Sequence, residues 1–242
     1  MALINTVLSQ KDSRLLEQAI LKHGEIADIS QLDEIFQSAY SRKSDRRRRV
    51  SLLARAGWLI RIRRGLYLIV TDLSARASGS LSTLVISNAL NSRSYISFAN
   101  ALNWNGMFDQ LTKTVGAITT ARPRNYRFQN TEFRFLKVEE KLFFGFSGQR
   151  VDGKIVNIGE IEKVILDYLF LRRNAATLTL VIEKLREYQS KFDFAKMIEY
   201  AKAYNITVQR NLGFLLDSLG VSSDPLHEIA RSNRKGFSKM HP

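Results

Sequence analysis

The first forty residues contain two short stretches in which apolar residues recur at helical spacing. The first runs from Leu15 to Ile20 and stops before Gly24, which can adopt the left-handed conformation that ends a helix. The second follows Ser30 and Asp33, whose spacing of three residues is that of a capping box. The pattern therefore predicts two helices, and the second would carry Leu32, Ile35 and Phe36.

A third helix is predicted to begin at Ser41 or Ser44 and to end at Gly57. Apolar residues three and four positions apart share one side of a helix, so this helix has an inner face and an opposite outer face. The predicted inner face consists of Val50, Leu53 and Ala54.

A hairpin is predicted directly after the third helix. Residues 58–62 and 66–70 are rich in strand-forming side chains, and Arg63, Arg64 and Gly65 lie between them. Gly65 would supply the positive φ that the turn needs. Three helices and a hairpin, with basic residues on the third helix and on the hairpin, fit a winged helix-turn-helix over residues 1–73.

The rest of the chain is predicted to be a second, α+β domain. Residues 71–80 are small and polar, which favours a linker at 74–80, with the second domain over 81–242. A helix is predicted at 81–90, a periodic helix begins at Ile161, and residues 173–242 are predicted to be helical throughout. The predicted strands are 114–120, 126–128, 133–138, 142–146 and 154–158, after an apolar segment at 95–98.

The amino-acid composition indicates which class of protein this is. The 242 residues are 45% hydrophobic, which suits a globular chain with a buried core. There is no cysteine, so disulfides and thiolate chemistry are excluded. No apolar run approaches the length of a membrane span and the N-terminus lacks the features of a signal peptide, so we expect a cytoplasmic protein without a membrane partner. The net charge is +14, which favours a nucleic acid or acidic partner.

The positive charge is concentrated locally. Between Arg42 and Arg64 there are ten Lys or Arg and one acid, Asp45, whereas the first forty residues hold three bases and six acids. Four consecutive arginines repel one another unless a polyanion is present. This concentration favours DNA binding over the alternative of a merely solvated basic helix face.

Side chains on the outer face of the third helix are the predicted groove contacts. Ser44, Arg48, Ser51 and Arg55 fall opposite the apolar face. The flanking arginines and those of the hairpin are predicted to reach phosphates. These phosphate-contacting residues are Arg46, Arg47, Arg49, Arg61, Arg63 and Arg64.

Two motifs that suggest an enzyme are better explained otherwise. Residues 148–154 resemble a phosphate-binding loop, but Ile155 replaces the required Ser or Thr, and Asp152 with Gly153 is a hairpin turn pair. The acids near residue 160 open a helix, where they complement its dipole. The three histidines are far apart in the sequence and do not have the spacing of metal ligands. We therefore predict no catalytic residue, no metal site and no cofactor.

Three segments resemble the AbiEi family, the antitoxin half of bacterial type IV toxin-antitoxin systems. Residues 53–67 are similar to the end of that family's winged helix, and residues 95–102 with Gly106 are similar to the start of its second domain. Glu162-Lys163-Val-Ile-Leu166-Asp167 resembles its Glu-Lys-x-x-Leu-Asp helix. The resemblance extends from about residue 15 to 171.

The resemblance implies a non-enzymatic autorepressor. Its winged helix would bind inverted repeats in the double-stranded DNA of its own promoter, and its second domain would counter a nucleotidyltransferase-like toxin without a stable complex being required. Two other readings stay open: an RNA-binding protein, because arginine-rich helices also bind RNA, and a restriction-type nuclease with a winged-helix reader.

Overall fold

A computed structural model describes residues 8–70, 81–110 and 112–232. The fold is α+β, and the chain divides into two compact units. The first comprises Met1–Ser82 together with Tyr126–Gln129, and the second comprises Thr83–Asn125 and Asn130–Pro242. The linker predicted at 74–80 lies outside the described residues. No helix within the described ranges is long and apolar enough to span a bilayer.

The first unit combines three helices with a small antiparallel sheet. In chain order its elements are α1 (Gln10–His23), β1 (Ile26–Asp28), α2 (Ile29–Phe36), α3 (Lys43–Ala56), β2 (Leu59–Arg63) and β3 (Leu66–Ile69). Strand β3 is central, with β1 and β2 on its two sides. The three helices and the hairpin agree with the sequence prediction, whereas β1 was not predicted.

Glycines end two of these helices as predicted. Gly57 (φ 81°, ψ 13°) follows α3 in the left-handed conformation. Gly24 follows α1 with φ 85° and ψ −173°, so it has a positive φ but not the predicted left-handed helical conformation. The predicted capping box of α2 was wrong. Asp28 is the N-cap, accepting hydrogen bonds from the backbone of Ser30 and Gln31 at 2.7 and 2.9 Å, and the Gln31 side chain accepts from the Asp28 backbone at 2.8 Å. Asp33 is therefore not needed at the cap.

The core of the first unit lies where the three helices meet the sheet. Leu32 and Phe36 of α2 are fully buried, and Trp58 and Leu59 close the core from the start of the hairpin. Burial of this apolar surface is the main force that holds α3 against the unit. The buried apolar residues contributed by α1 and α3 are Leu15, Leu16, Ala19, Val50 and Leu53.

The second unit is built on a mixed six-stranded sheet. Its order is β6-β7-β5-β4-β9-β8, with β4 antiparallel to β5 and parallel to β9. The strands are β4 (Ser94–Ile96), β5 (Thr114–Thr119), β6 (Asn125–Phe128), β7 (Thr131–Lys137), β8 (Phe146–Val151) and β9 (Lys154–Gly159). The helices are α4 (Thr83–Leu90), α5 (Phe98–Trp104), α6 (Ile161–Leu171), α7 (Ala175–Glu187), α8 (Phe194–Ala201), α9 (Ile206–Ser218) and α10 (Asp224–Ser232).

Residues 142–146 do not form the predicted strand. A 3₁₀ helix occupies Glu140–Leu142, and Gly145 has a φ of 68°, so the chain turns before β8 begins at Phe146. A Cβ at Gly145 would lie 3.0 Å from Lys163 Cβ and from Tyr200. Phe143 and Phe144, which lie in this segment, are therefore part of a turn that packs on Lys163 of α6 and are not part of a strand.

Residues 148–154 form a hairpin, as expected. Strands β8 and β9 are antiparallel, with Val151 opposite Lys154. Asp152 and Gly153 have φ values of 45° and 72°, which suits a tight two-residue turn. The segment does not open a helix, so its likeness to a phosphate-binding loop is limited to the spacing of its residues.

Candidate nucleic-acid interface

The outer face of α3 is exposed as predicted. Ser44, Arg48, Ser51 and Arg55 are all exposed, while Val50 and Leu53 on the opposite face are 2% and 3% exposed. Ala54 is only partly buried. The helix therefore presents a polar and basic stripe that contributes nothing to the core of the unit.

Arg46 points inward, contrary to the prediction that it reaches phosphates. The residue is 8% exposed, and its Nε and Nη2 donate to the two carboxylate oxygens of Asp33 at 2.8 and 3.1 Å. Its Nη1 donates to the backbone carbonyls of Tyr40 and Ser41. The hydrogen bond from Arg46 holds the pKa of Asp33 below its usual value. Arg46 therefore ties α3 to α2 and is not included in the interface.

Arg49 makes a second internal ion pair. Its Nε donates to Asp12 Oδ1 at 2.7 Å, and its Nη2 also contacts the Asp12 carboxylate, which is fully buried. Burial by itself would raise the pKa of Asp12, but the hydrogen bonds from Arg49 and Ser9 outweigh it and lower the pKa. Arg49 thus ties α3 to α1, and its predicted phosphate contact is also dropped.

The run of four arginines is therefore divided between two tasks. A residue advances about 100° around a helix, so Arg46 and Arg49 lie on the side of the buried Leu53, while Arg47 and Arg48 point away from that side and are exposed. The inward pair fixes the orientation of α3 by paired, hydrogen-bonded charges. The outward pair leaves its guanidinium groups facing solvent.

The β2–β3 hairpin carries three more exposed arginines, Arg61, Arg63 and Arg64. Ile62 between them is 4% exposed, as expected when alternate strand residues face opposite sides. The pairing with β3 shifts between Arg61 and Arg63. Gly65 has a φ of 76°, and a Cβ there would make only an ordinary van der Waals contact, 3.6 Å from Ile29 Cγ2. Its requirement for glycine is therefore conformational.

The second unit contains a buried polar network that sequence analysis missed. Lys163 and Asp167 are 0% and 1% exposed, lie four residues apart on α6 and form an ion pair. Lys163 Nζ also donates to the hydroxyls of Tyr95 and Tyr204 at 2.8 and 2.6 Å. Both hydroxyls donate to Asp167 at 3.0 and 2.9 Å, and the Ser97 hydroxyl does so at 2.8 Å.

This network gives the acids of α6 an internal role. Burial lowers the pKa of Lys163 and raises that of Asp167, because both charges are removed from water. Glu162 is also buried and accepts a hydrogen bond from the Asp193 backbone at 3.0 Å. The Glu-Lys-x-x-Leu-Asp segment therefore connects α6 to β4 and to the C-terminal helices. Within the described ranges, no group of His, Asp and Glu could hold a metal ion.

Comparison with known proteins adds information on the fold alone. Neither a protein-family model nor a curated protein matches the sequence. Among solved structures, the chain is similar to the crystal structure of the RV2827C protein from Mycobacterium tuberculosis, with a TM-score of 0.60 and 12% sequence identity. The alignment covers 92% of this chain and 82% of that chain. The likeness agrees with an α+β architecture.

Proposed function

We propose that the first unit is a winged helix-turn-helix that binds double-stranded DNA, and that the protein is a transcriptional repressor with antitoxin function. In this proposal α3 is the recognition helix in the major groove, and the β2–β3 turn is the wing on the backbone or minor groove. The order of the helices and strands in the first unit, with the basic helix directly before the basic hairpin, supports this assignment.

The observation that carries the proposal is the division of the arginine run. Arg46 and Arg49 are held by Asp33 and Asp12, whereas Arg47, Arg48 and Arg55 are exposed. The two internal ion pairs add to the packing of Val50 and Leu53 in fixing the rotation of the helix. Fixed rotation is what a helix needs when a few of its side chains must meet base edges.

The length of the exposed stripe suits a groove. From Ser44 to Arg55 the helix rises about 16 Å at 1.5 Å per residue. That distance corresponds to roughly five base pairs at about 3.4 Å each. The wing arginines would add phosphate contacts on one side of the groove, so that affinity depends on the wing and sequence preference depends on α3.

The biological part of the proposal rests on the resemblance to the AbiEi family. The chain would bind inverted repeats in its own promoter in the cytoplasm, and the second unit would counter a nucleotidyltransferase-like toxin. Nine of the fourteen net positive charges lie after Asp72, which would suit an acidic partner or RNA for this unit. An adjacent nucleotidyltransferase gene would support this part of the proposal.

The test is binding of the full chain to a duplex from its own upstream region and to a scrambled duplex. Arg48→Ala should weaken binding to the upstream duplex by about 1–3 kcal/mol and reduce the preference over the scrambled duplex. The control is Arg14→Ala, which removes the same charge from an exposed position on α1. Arg14→Ala should leave the affinity for the upstream duplex and the affinity for the scrambled duplex almost unchanged.

Four outcomes would contradict the proposal in whole or in part. Equal losses on both duplexes would make Arg48 a phosphate contact, and an unchanged affinity would remove α3 from the interface. Tighter binding to a structured RNA than to the duplex would favour the RNA-binding alternative. Cleavage of the duplex that depends on an added divalent metal would favour the nuclease alternative.

A further inference from the structure

A pocket of about 260 Å³ lies in the second unit beside the start of α5, the start of β5, strand β7 and the end of α6. Its lining contains cationic side chains and, among the lining residues that are described, no acid. An enclosed region with one sign of charge concentrates ions of the opposite sign. The cationic residues are Lys113, Arg134 and Arg172.

Arg172 brings its guanidinium group to the lining of this pocket. Its guanidinium carbon lies 4.5 Å from the centre of the Phe98 ring, so the group stacks on an aromatic face. Its Nε is buried and has no hydrogen-bond partner among the described residues. Because this Nε is closed to solvent, a ligand in the pocket would meet the outer guanidinium nitrogens, Nη1 and Nη2, instead.

Phe98 forms the base of the pocket in a strained conformation. Its φ is 58°, a left-handed value that aromatic residues rarely adopt. The Ser97 hydroxyl is tied to Asp167, and a Cβ at Gly116 would lie only 2.7 Å from the Phe98 ring. The surrounding structure therefore forces Phe98 into the place where its ring supports Arg172. Strain held in this way is typical of binding sites.

Side-chain hydrogen bonds order another part of the pocket lining. Asn100 accepts from the Gly116 backbone at 3.1 Å and donates to the Thr112 hydroxyl at 3.2 Å, which in turn donates to the Thr114 carbonyl at 2.9 Å. These bonds hold the segment that carries Lys113 at the rim of the pocket. Arg134 is partly neutralised, because its Nη2 donates to Glu132 at 2.8 Å.

We propose that this pocket binds the phosphate group of a small phosphate monoester. The outer guanidinium nitrogens of Arg172 would donate to the phosphate oxygens, and the Lys113 ammonium and the remaining charge of Arg134 would balance its negative charge. A volume of about 260 Å³ equals roughly nine water molecules at about 30 Å³ each. This exceeds the needs of a bare phosphate and leaves room for a group of sugar size. The site is independent of the DNA interface proposed above.

The experiment measures thermal unfolding of the full chain with inorganic phosphate and with ribose 5-phosphate, each against sodium chloride at equal ionic strength. We expect a saturable rise in Tm with both, at lower concentration for the ester. Arg172→Gln should weaken binding at least tenfold. The matched control is Arg173→Gln, which changes the neighbouring residue outside the pocket and should bind as the unchanged chain does.

Arg172 also packs on Phe98, so its variant could fail to fold. Lys113→Gln, at an exposed position of the pocket, keeps the test decisive and should weaken binding severalfold. A Tm that does not respond to either phosphate, or an equal loss in the Arg173 control, would overturn the proposal. The proposal would also be overturned if a short DNA duplex displaced ribose 5-phosphate and bound less tightly to the Arg172→Gln variant, because the pocket would then be part of a DNA-binding surface. Failure of the DNA proposal would leave these phosphate measurements unchanged.

Discussion

The two units use their charged side chains in opposite ways. In the first unit the internal ion pairs join separate helices at the edge of the core, and each inward arginine has an exposed arginine as its neighbour. In the second unit Lys163 and Asp167 lie on one helix and are wholly buried, with tyrosine hydroxyls as their partners. A cluster of charges in a sequence therefore indicates an interface only after the buried members have been identified.

The largest effect is expected in the second unit. Lys163→Met should lower the free energy of unfolding by about 3–5 kcal/mol, because Asp167 would stay buried without its cation. Urea unfolding can be followed by Trp104 fluorescence in a Trp58→Phe background, since Trp104 is in the second unit and 41% exposed.

The control for this variant is Lys202→Met, which removes an exposed lysine paired with Glu199. Exposed pairs of this kind contribute about 1 kcal/mol or less. If Lys163→Met costs no more than Lys202→Met, the network is hydrated and the contrast between the two units is wrong.

A smaller loss of stability is expected in the first unit. Asp12→Ala should lower its free energy of unfolding by about 1.5–3 kcal/mol, because Arg49 loses a charged hydrogen-bond partner. Trp58, which is in the core of this unit, reports its unfolding in a Trp104→Phe background.

Arg47→Ala should change stability by no more than about 0.5 kcal/mol while weakening DNA binding. A reversed result would mean that the inward and outward roles are assigned wrongly.

Low pH should weaken the two ion pairs of the first unit, Asp12–Arg49 and Asp33–Arg46, and so lower its thermal stability. The pKa values of Asp12 and Asp33 are lowered in the folded state from an ordinary value of 3.8. Their charged forms therefore stabilise the unit above about pH 4, and this stability is lost as the pH falls below that value. Thermal unfolding of the unchanged chain between pH 5 and pH 3, both chosen as about one unit either side of that value, should show a steeper fall in Tm than Asp12→Asn. Parallel curves would mean that Asp12 is already solvated.

The hairpin should affect stability least. Replacing Arg61, Arg63 and Arg64 together with Ala should leave unfolding almost unchanged, because all three are exposed. It should reduce the slope of log affinity against log salt by about two to three, since each phosphate that an arginine no longer neutralises lowers the slope by about 0.9. Measuring the slope on the upstream and the scrambled duplex provides the control, since both should change equally. An unchanged slope would mean that the hairpin arginines do not contact the DNA phosphates.

Sequence patterns predicted the first unit well because its signals are local. The period of α3 and the glycines at 57 and 65 act within a few residues of the features that they mark. The direction of Arg46 was also within reach. It lies four and seven positions before Val50 and Leu53, which places it on their face of the helix, but the prediction grouped it with Arg47 and Arg49 as a flanking phosphate contact.

The candidate sites of the second unit could not be predicted in the same way. Lys163 meets Tyr95 and Tyr204, which are 68 and 41 residues away in the chain, and no local pattern gives such distances. The aromatic run near Phe144 was assigned to a strand because its composition suits one. Phe144 instead packs near Lys163, whose Nζ lies 5.3 Å from the centre of its ring, and Phe143 and Phe146 pack on Tyr95. Tertiary packing outweighed local preference.

The central position of β4 has a consequence for the order in which the chain folds during synthesis. Strand β4 pairs in parallel with β9, and Ile96 is opposite Ile158. The ribosome must therefore release more than sixty residues after β4 before this half of the sheet can close. The helices and the hairpin of the first unit are all synthesised by Ser82 and can fold while the second unit is still being translated. A nascent chain stalled before β9 would carry a finished basic helix and hairpin beside an open sheet, exposed to aggregation until translation resumes.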